Sequence, residues 1–71
     1  MPSGKAQENT YIPPIYIDSG VITGEKAKIG PNVYIESGAT IGNEARISNS
    51  IILNRANIAS GAIINSKVVN E

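Results

Sequence analysis

Few side chains in this sequence could do chemistry, and the useful ones stand in pairs eighteen residues apart. Asp18 and Glu36 form one pair, Lys28 and Arg46 a second, Tyr16 and Tyr34 a third. Two stacked carboxylates could share a calcium ion. Calcium asks for ~6–8 oxygens, however, and this column offers few, so weak repulsion in water is the plainer reading. Two stacked cations could contact a phosphate, or simply form a solvated face. Stacked tyrosines give a large contact area with a hydroxyl for the rim, which suits an interface. A ring ladder that only stiffens a sheet, worth about 0.2–1 kcal/mol per pair, is the competing reading and does not exclude the first. Histidine and cysteine are absent. That removes the commonest general base and the zinc sites built on imidazole or thiolate. No catalytic, metal-ligating or cofactor-binding residue is assigned.

Such columns need an element that returns every eighteenth residue to one place. Ile17, Ile29, Ile35, Ile41 and Ile47 keep a six-residue step, broken only by Thr23. Two positions before each beat stands Ile15, Val21, Ala27, Val33, Ala39 or Ala45. Neither a helix of 3.6 residues per turn nor a plain alternating strand has this period. Strands of a sandwich would alternate over longer runs, with turns every ~8–12 residues. A fixed short repeat predicts a solenoid, an all-β parallel β-helix of hexapeptide repeats. In Val33-Tyr34-Ile35 the outer two residues turn inward and Tyr34 outward. Gly20, Gly38 and Gly61 share one register between strands, with Asn32 in that slot elsewhere, as the positive φ of a tight corner requires. A second set, Gly24, Gly30 and Gly42, directly follows the beat.

Three strands close a triangular coil, and the repeat units make about three coils, close to the minimum for a continuous core. After Ile47 one residue drops out. The beat resumes at Ile52, Ile58 and Ile64, because Ala56 then stands before Ile58 as Ala62 does before Ile64. The coil has three outward columns. One shows Lys28, Arg46 and Ile63; another shows Ile22, Thr40 and Asn57. The third, the most apolar, shows Tyr16, Tyr34, then Ile51 or Ile52, and Val69. Tyr16, Tyr34, Ile52 and Val69 are the candidate interface, and Lys28 and Arg46 the candidate phosphate contact.

The 71 residues allow one small domain. Residues 1–10 lack the period and are expected to be a flexible leader, with the β-helix over 11–71. A core this small supplies no more than ~3–5 kcal/mol and cannot be stapled by disulfides, so self-association or docking on a larger protein is expected. Six acidic residues balance six basic ones, which argues against nucleic-acid and membrane-surface partners. No apolar run approaches the ~20 residues of a membrane span. The polar start has no signal-peptide core, so a cytoplasmic location is expected.

The units I29-G-P-N-V-Y, I35-E-S-G-A-T and I41-G-N-E-A-R resemble the hexapeptide-repeat family from Tyr11 to Asn70. That resemblance implies a single-stranded left-handed parallel β-helix; the hand comes from the family. The stretch from Arg46 to Val69, with its N-S-aliphatic steps and its five-residue step, looks like the C-terminal β-helix of sugar nucleotidyltransferases. In that family an N-terminal doubly wound domain carries the chemistry, while the β-helix serves assembly or regulation. This sequence has no glycine-rich nucleotide loop after a strand and no metal-binding aspartates downstream. Other users of the coil fit less well. Hexapeptide acyltransferases generally use histidine as base, γ-type carbonic anhydrases bind metal through three histidines, and ice-binding coils carry threonine arrays where only Thr10, Thr23 and Thr40 occur here.

The resemblance therefore implies a non-catalytic structural, oligomerisation or regulatory module without cofactor. Its partner would be a second copy or a covalently linked nucleotidyltransferase domain. Two rivals remain: part of an acyltransferase whose histidine comes from another chain, and a small module that binds a sugar nucleotide or phosphate through Lys28 and Arg46.

Overall fold

In a computed structural model of the chain, which describes residues 8–71, every regular element is a short β-strand. The first coil is β1 (Thr10–Tyr11), β2 (Ile15–Ile17) and β3 (Ile22–Thr23). The second is β4 (Lys28–Ile29), β5 (Val33–Ile35) and β6 (Thr40–Ile41), and the third β7 (Arg46–Ser48), β8 (Ser50–Ile52) and β9 (Asn57–Ile58). A fourth begins with β10 (Ile63–Asn65) and β11 (Val68–Val69). Every strand pairs in parallel with the third strand before or after it. Three flat sheets result, in the orders β1-β4-β7-β10, β2-β5-β8-β11 and β3-β6-β9. The chain is thus a parallel β-solenoid of about four turns, one more than the three coils expected.

Part of that difference lies at the start. Of the leader expected over residues 1–10, residues 1–7 lie outside the described ones. Asn9 and Thr10 are already bound into the first coil: the Thr10 amide donates to the Ala27 carbonyl at 2.8 Å, and Asn9 Oδ1 accepts from the Ala27 amide at 2.9 Å.

The interior is what the six-residue beat implies. In the second and third coils a small or branched residue and an isoleucine turn inward at each strand except β8, as in Ala27 and Ile29, Val33 and Ile35, or Ala39 and Ile41, all buried. Parallel stacking then builds vertical columns of like residues. Ile29 lies over Ile47 and Ile47 over Ile64; Ile17, Ile35, Ile52 and Val69 form a second column. Among the described residues no buried side-chain polar atom lacks a partner.

The corners repeat as regularly as the strands. A left-handed residue occurs at Gly20, Lys26, Asn32, Gly38, Glu44, Asn49, Arg55, Gly61 and Ser66. The step is six residues except from Glu44 to Asn49 and from Gly61 to Ser66, where it is five. The first short corner is the one expected after Ile47. The second was not: the beat moves from Ile64 to Val69, which pairs with Ile52. The two five-residue corners fall in the same sheet-to-sheet turn on successive coils and stack on one another.

Candidate functional site

The outward side of the β2-β5-β8-β11 sheet is an apolar column. In-register pairing stacks Tyr16 on Tyr34, Tyr34 on Ile51, and Ile51 on Val68. The tyrosine rings are 4.9 Å apart between centroids and tilted by 37°, close enough to stabilise one another as well as to present a surface. A shallow groove of about 310 Å³ runs beside them, lined by Pro14, Tyr16, Val33, Tyr34 and Ile51.

Two of the four expected interface residues are not in this column. Ile52 is 0% exposed and lies in the core, whereas Ile51 is 43% exposed and takes the outward place. Val69 turns toward the core, and Val68, 65% exposed, takes its place. Both corrections have one cause. A five-residue corner shifts the phase of the following strand by one, and a one-residue shift exchanges the faces of every side chain in it. Since Ile52 continues the inward beat, Ile51 must point out. That signal was present in the sequence.

The short corners also hold polar groups that spacing alone did not single out. Ser50 occupies the inward position that Val33 fills one coil earlier, and it is buried. Its hydroxyl donates to the Ser48 carbonyl at 2.7 Å and accepts from the Lys67 amide at 3.1 Å. Outside the corner, Asn32 Nδ2 donates to Asn49 Oδ1 at 3.0 Å, and Asn49 Nδ2 to Asn65 Oδ1 at 3.2 Å. This amide ladder ties three coils together along one edge.

Asp18 and Glu36 follow Ile17 and Ile35 at the same corner, but each is already engaged. Glu36 Oε1 accepts from the Asn54 amide on the next coil at 2.9 Å, and Asp18 Oδ1 accepts from the Ser19 amide at 2.8 Å. Among the described residues no group of three or more metal-capable side chains is assembled. The negative charge of Asp18, aided by partial desolvation and by Tyr34, pushes the Tyr16 phenol above its ordinary range.

Lys28 and Arg46 are brought together as the spacing implied. They are direct partners on β4 and β7 and both line one groove of about 260 Å³. Among the described residues no helix is long and apolar enough to cross a membrane.

A family model described as the GMPPB C-terminal domain matches residues 11–71. No curated protein and no solved structure matches the chain.

Proposed function

Because the chain belongs to the GMPPB C-terminal domain family, a sugar nucleotidyltransferase C-terminal domain, we propose that it is a non-catalytic assembly module. Its role is geometric. The core holds a rigid three-walled prism, and the Tyr16, Tyr34, Ile51 and Val68 column meets a second copy or a linked nucleotidyltransferase domain, in the cytoplasm. The observation that carries this reading is the column itself: four large apolar side chains in register on one flat face of a small protein. Aromatic anchors at the centre of a patch are the usual carriers of interface energy. The lack of histidine and cysteine supports the non-catalytic part, since it removes the commonest general base and the thiolate nucleophile.

Two measurements test the reading. The isolated chain, given a sugar 1-phosphate with a nucleoside triphosphate, or acyl-CoA with an amino-sugar acceptor, is expected to show no turnover in either assay. Light scattering is expected to show self-association that Tyr34→Asp weakens, with the fold retained because Tyr34 points outward. Turnover by the chain alone would overturn the non-catalytic role, and an unchanged oligomer in Tyr34→Asp would remove the column from the interface.

A further inference from the structure

The groove beside β4 and β7 contains two cations and no carboxylate. Lys28, Arg46 and Ser48 stand over Ile12, Gly30 and Pro31 around a volume of about 260 Å³. Lys28 and Arg46 are paired residue to residue, so their Cα atoms are separated by roughly the strand spacing of 4.7–4.9 Å. Like charges placed directly opposite each other weaken a sheet. Among the described residues nothing in the column relieves them: Thr10 pairs with Lys28 on one side and Ile63 with Arg46 on the other. Among the described residues the one salt bridge joins Arg55 to Glu71. Glu44 lines an adjoining groove with Lys26 and Arg46, without a salt bridge to either.

We propose that this groove binds a dianionic phosphoryl group, gripped by Lys28 and Arg46 together. A dianion turns the repulsion of the pair into two charge-assisted contacts. The Arg46 fork can take two oxygens and the Lys28 ammonium a third. The Ser48 hydroxyl already donates to Asn65 Oδ1 at 3.2 Å, so the two cations carry the affinity. Size sets the ligand class. The groove is smaller than the ~300–1,000 Å³ of sites that enclose a drug-sized ligand, so it seats a phosphoryl group and its nearest atoms rather than a whole nucleoside diphosphate sugar. The site lies on a different sheet from the tyrosine column, and it stands whether or not that column is an interface.

The test is an amide chemical-shift titration of the isotope-labelled chain at constant ionic strength. Inorganic phosphate, glycerol phosphate and sodium chloride are the three probes. Shifts are expected to saturate at Lys28, Ile29 and Gly30 and at Arg46, Ile47 and Ser48 for both phosphates and to be absent with chloride. Tighter binding of glycerol phosphate identifies an ester as the preferred source, and equal affinity identifies the phosphoryl group alone; either result supports the site. Lys28→Gln and Arg46→Gln are each expected to weaken binding by roughly tenfold or more, since a hydrogen bond to a charged group is worth ~1.5–3 kcal/mol. Arg46→Lys should retain part of the affinity. Shifts spread equally over Arg55 and Lys67, shifts reproduced by chloride, or affinity unchanged in the Lys28→Gln/Arg46→Gln double variant would overturn the proposal. Both residues are exposed, so the variants keep the fold.

Discussion

Tyr16 carries the clearest electrostatic signature in the chain. Its phenol stands near Asp18 and stacks against Tyr34. Ionising it would place a second negative charge beside the carboxylate, so the neutral form is favoured and the folded pKa rises above 10.0. The stability linked to this shift is fully present below the unfolded pKa and is lost as pH rises through the folded value. The window is alkaline, and nothing changes near neutrality. Site-resolved NMR of the Tyr16 ring is expected to give a midpoint above the ordinary phenol value, and Asp18→Asn should bring it back down. A midpoint that Asp18→Asn leaves in place would show that the carboxylate is not the main cause. Ser50 shows the opposite use of polarity at this scale. It sits where the coil before it places Val33, and its hydroxyl accepts from the Lys67 amide, which a methyl would leave unpaired, while donating to a Ser48 carbonyl that the Ser66 amide also reaches.

At the scale of the element, the corner is the unit that decides the fold, and it uses residues in two separate ways. Gly42 leaves the third coil room to approach: a Cβ there would lie 2.5 Å from the Ser60 amide nitrogen and 2.8 Å from the Ile58 carbonyl oxygen. Backbone cannot yield as a side-chain tip can. Gly42→Ala is therefore expected to cost about 1–3 kcal/mol. Two residues on, Glu44 has φ of 61°, a region that L-residues reach at a cost of roughly 1–2 kcal/mol. Glu44→Gly removes that cost but adds unfolded-state entropy of about 0.5–1 kcal/mol, so a net gain of up to about 1.5 kcal/mol is expected. Urea midpoints of the two variants should move in opposite directions. Movement in the same direction would mean that one of these two corner requirements has been misassigned.

The same corners explain how far the sequence could be read. The beat of isoleucines gave the strands, the inward set and the stacking of Lys28 on Arg46 and of Tyr16 on Tyr34, because a constant step preserves phase. The first short corner was legible, since Ala56 and Ala62, which both follow it, stand two before Ile58 and Ile64 once the beat resumes at Ile52. The second, from Gly61 to Ser66, was hidden: I64-N-S-K-V-V has an aliphatic residue at both the fifth and the sixth place. Val68 and Val69 therefore fit either phase, and only the pairing of Val69 with Ile52 decides between them. The amide ladder was out of reach for a different reason. It joins Asn32, Asn49 and Asn65 at separations of 17 and 16 residues, steps that the six-residue beat does not mark.

At the scale of the whole molecule, a solenoid is nearly one-dimensional: each coil contacts only its neighbours, so stability is a sum of coil and interface terms. The Ile17, Ile35, Ile52 and Val69 column runs through all four turns and tests this directly. Ile35 has a coil on both sides and is fully buried, whereas Ile17 lies in the first described coil and is only partly covered. Deleting a buried isoleucine to alanine costs about 2–5 kcal/mol, which is comparable to the ~3–5 kcal/mol a core of this size can supply. Ile35→Ala is therefore expected to unfold most of the chain at room temperature, while Ile17→Ala lowers the urea midpoint and leaves a folded protein. Circular dichroism across a urea series distinguishes them. The comparison also bears on assembly, because anything that binds the folded state adds to its stability by mass action. If copies stack through the first coil, the cost of Ile17→Ala should grow as protein concentration rises, since the mutation then damages both coil and contact. If they meet through the Tyr34 face, that cost should stay constant with concentration. An Ile17→Ala penalty equal to that of Ile35→Ala at every concentration would rule out the nearest-neighbour description of this prism.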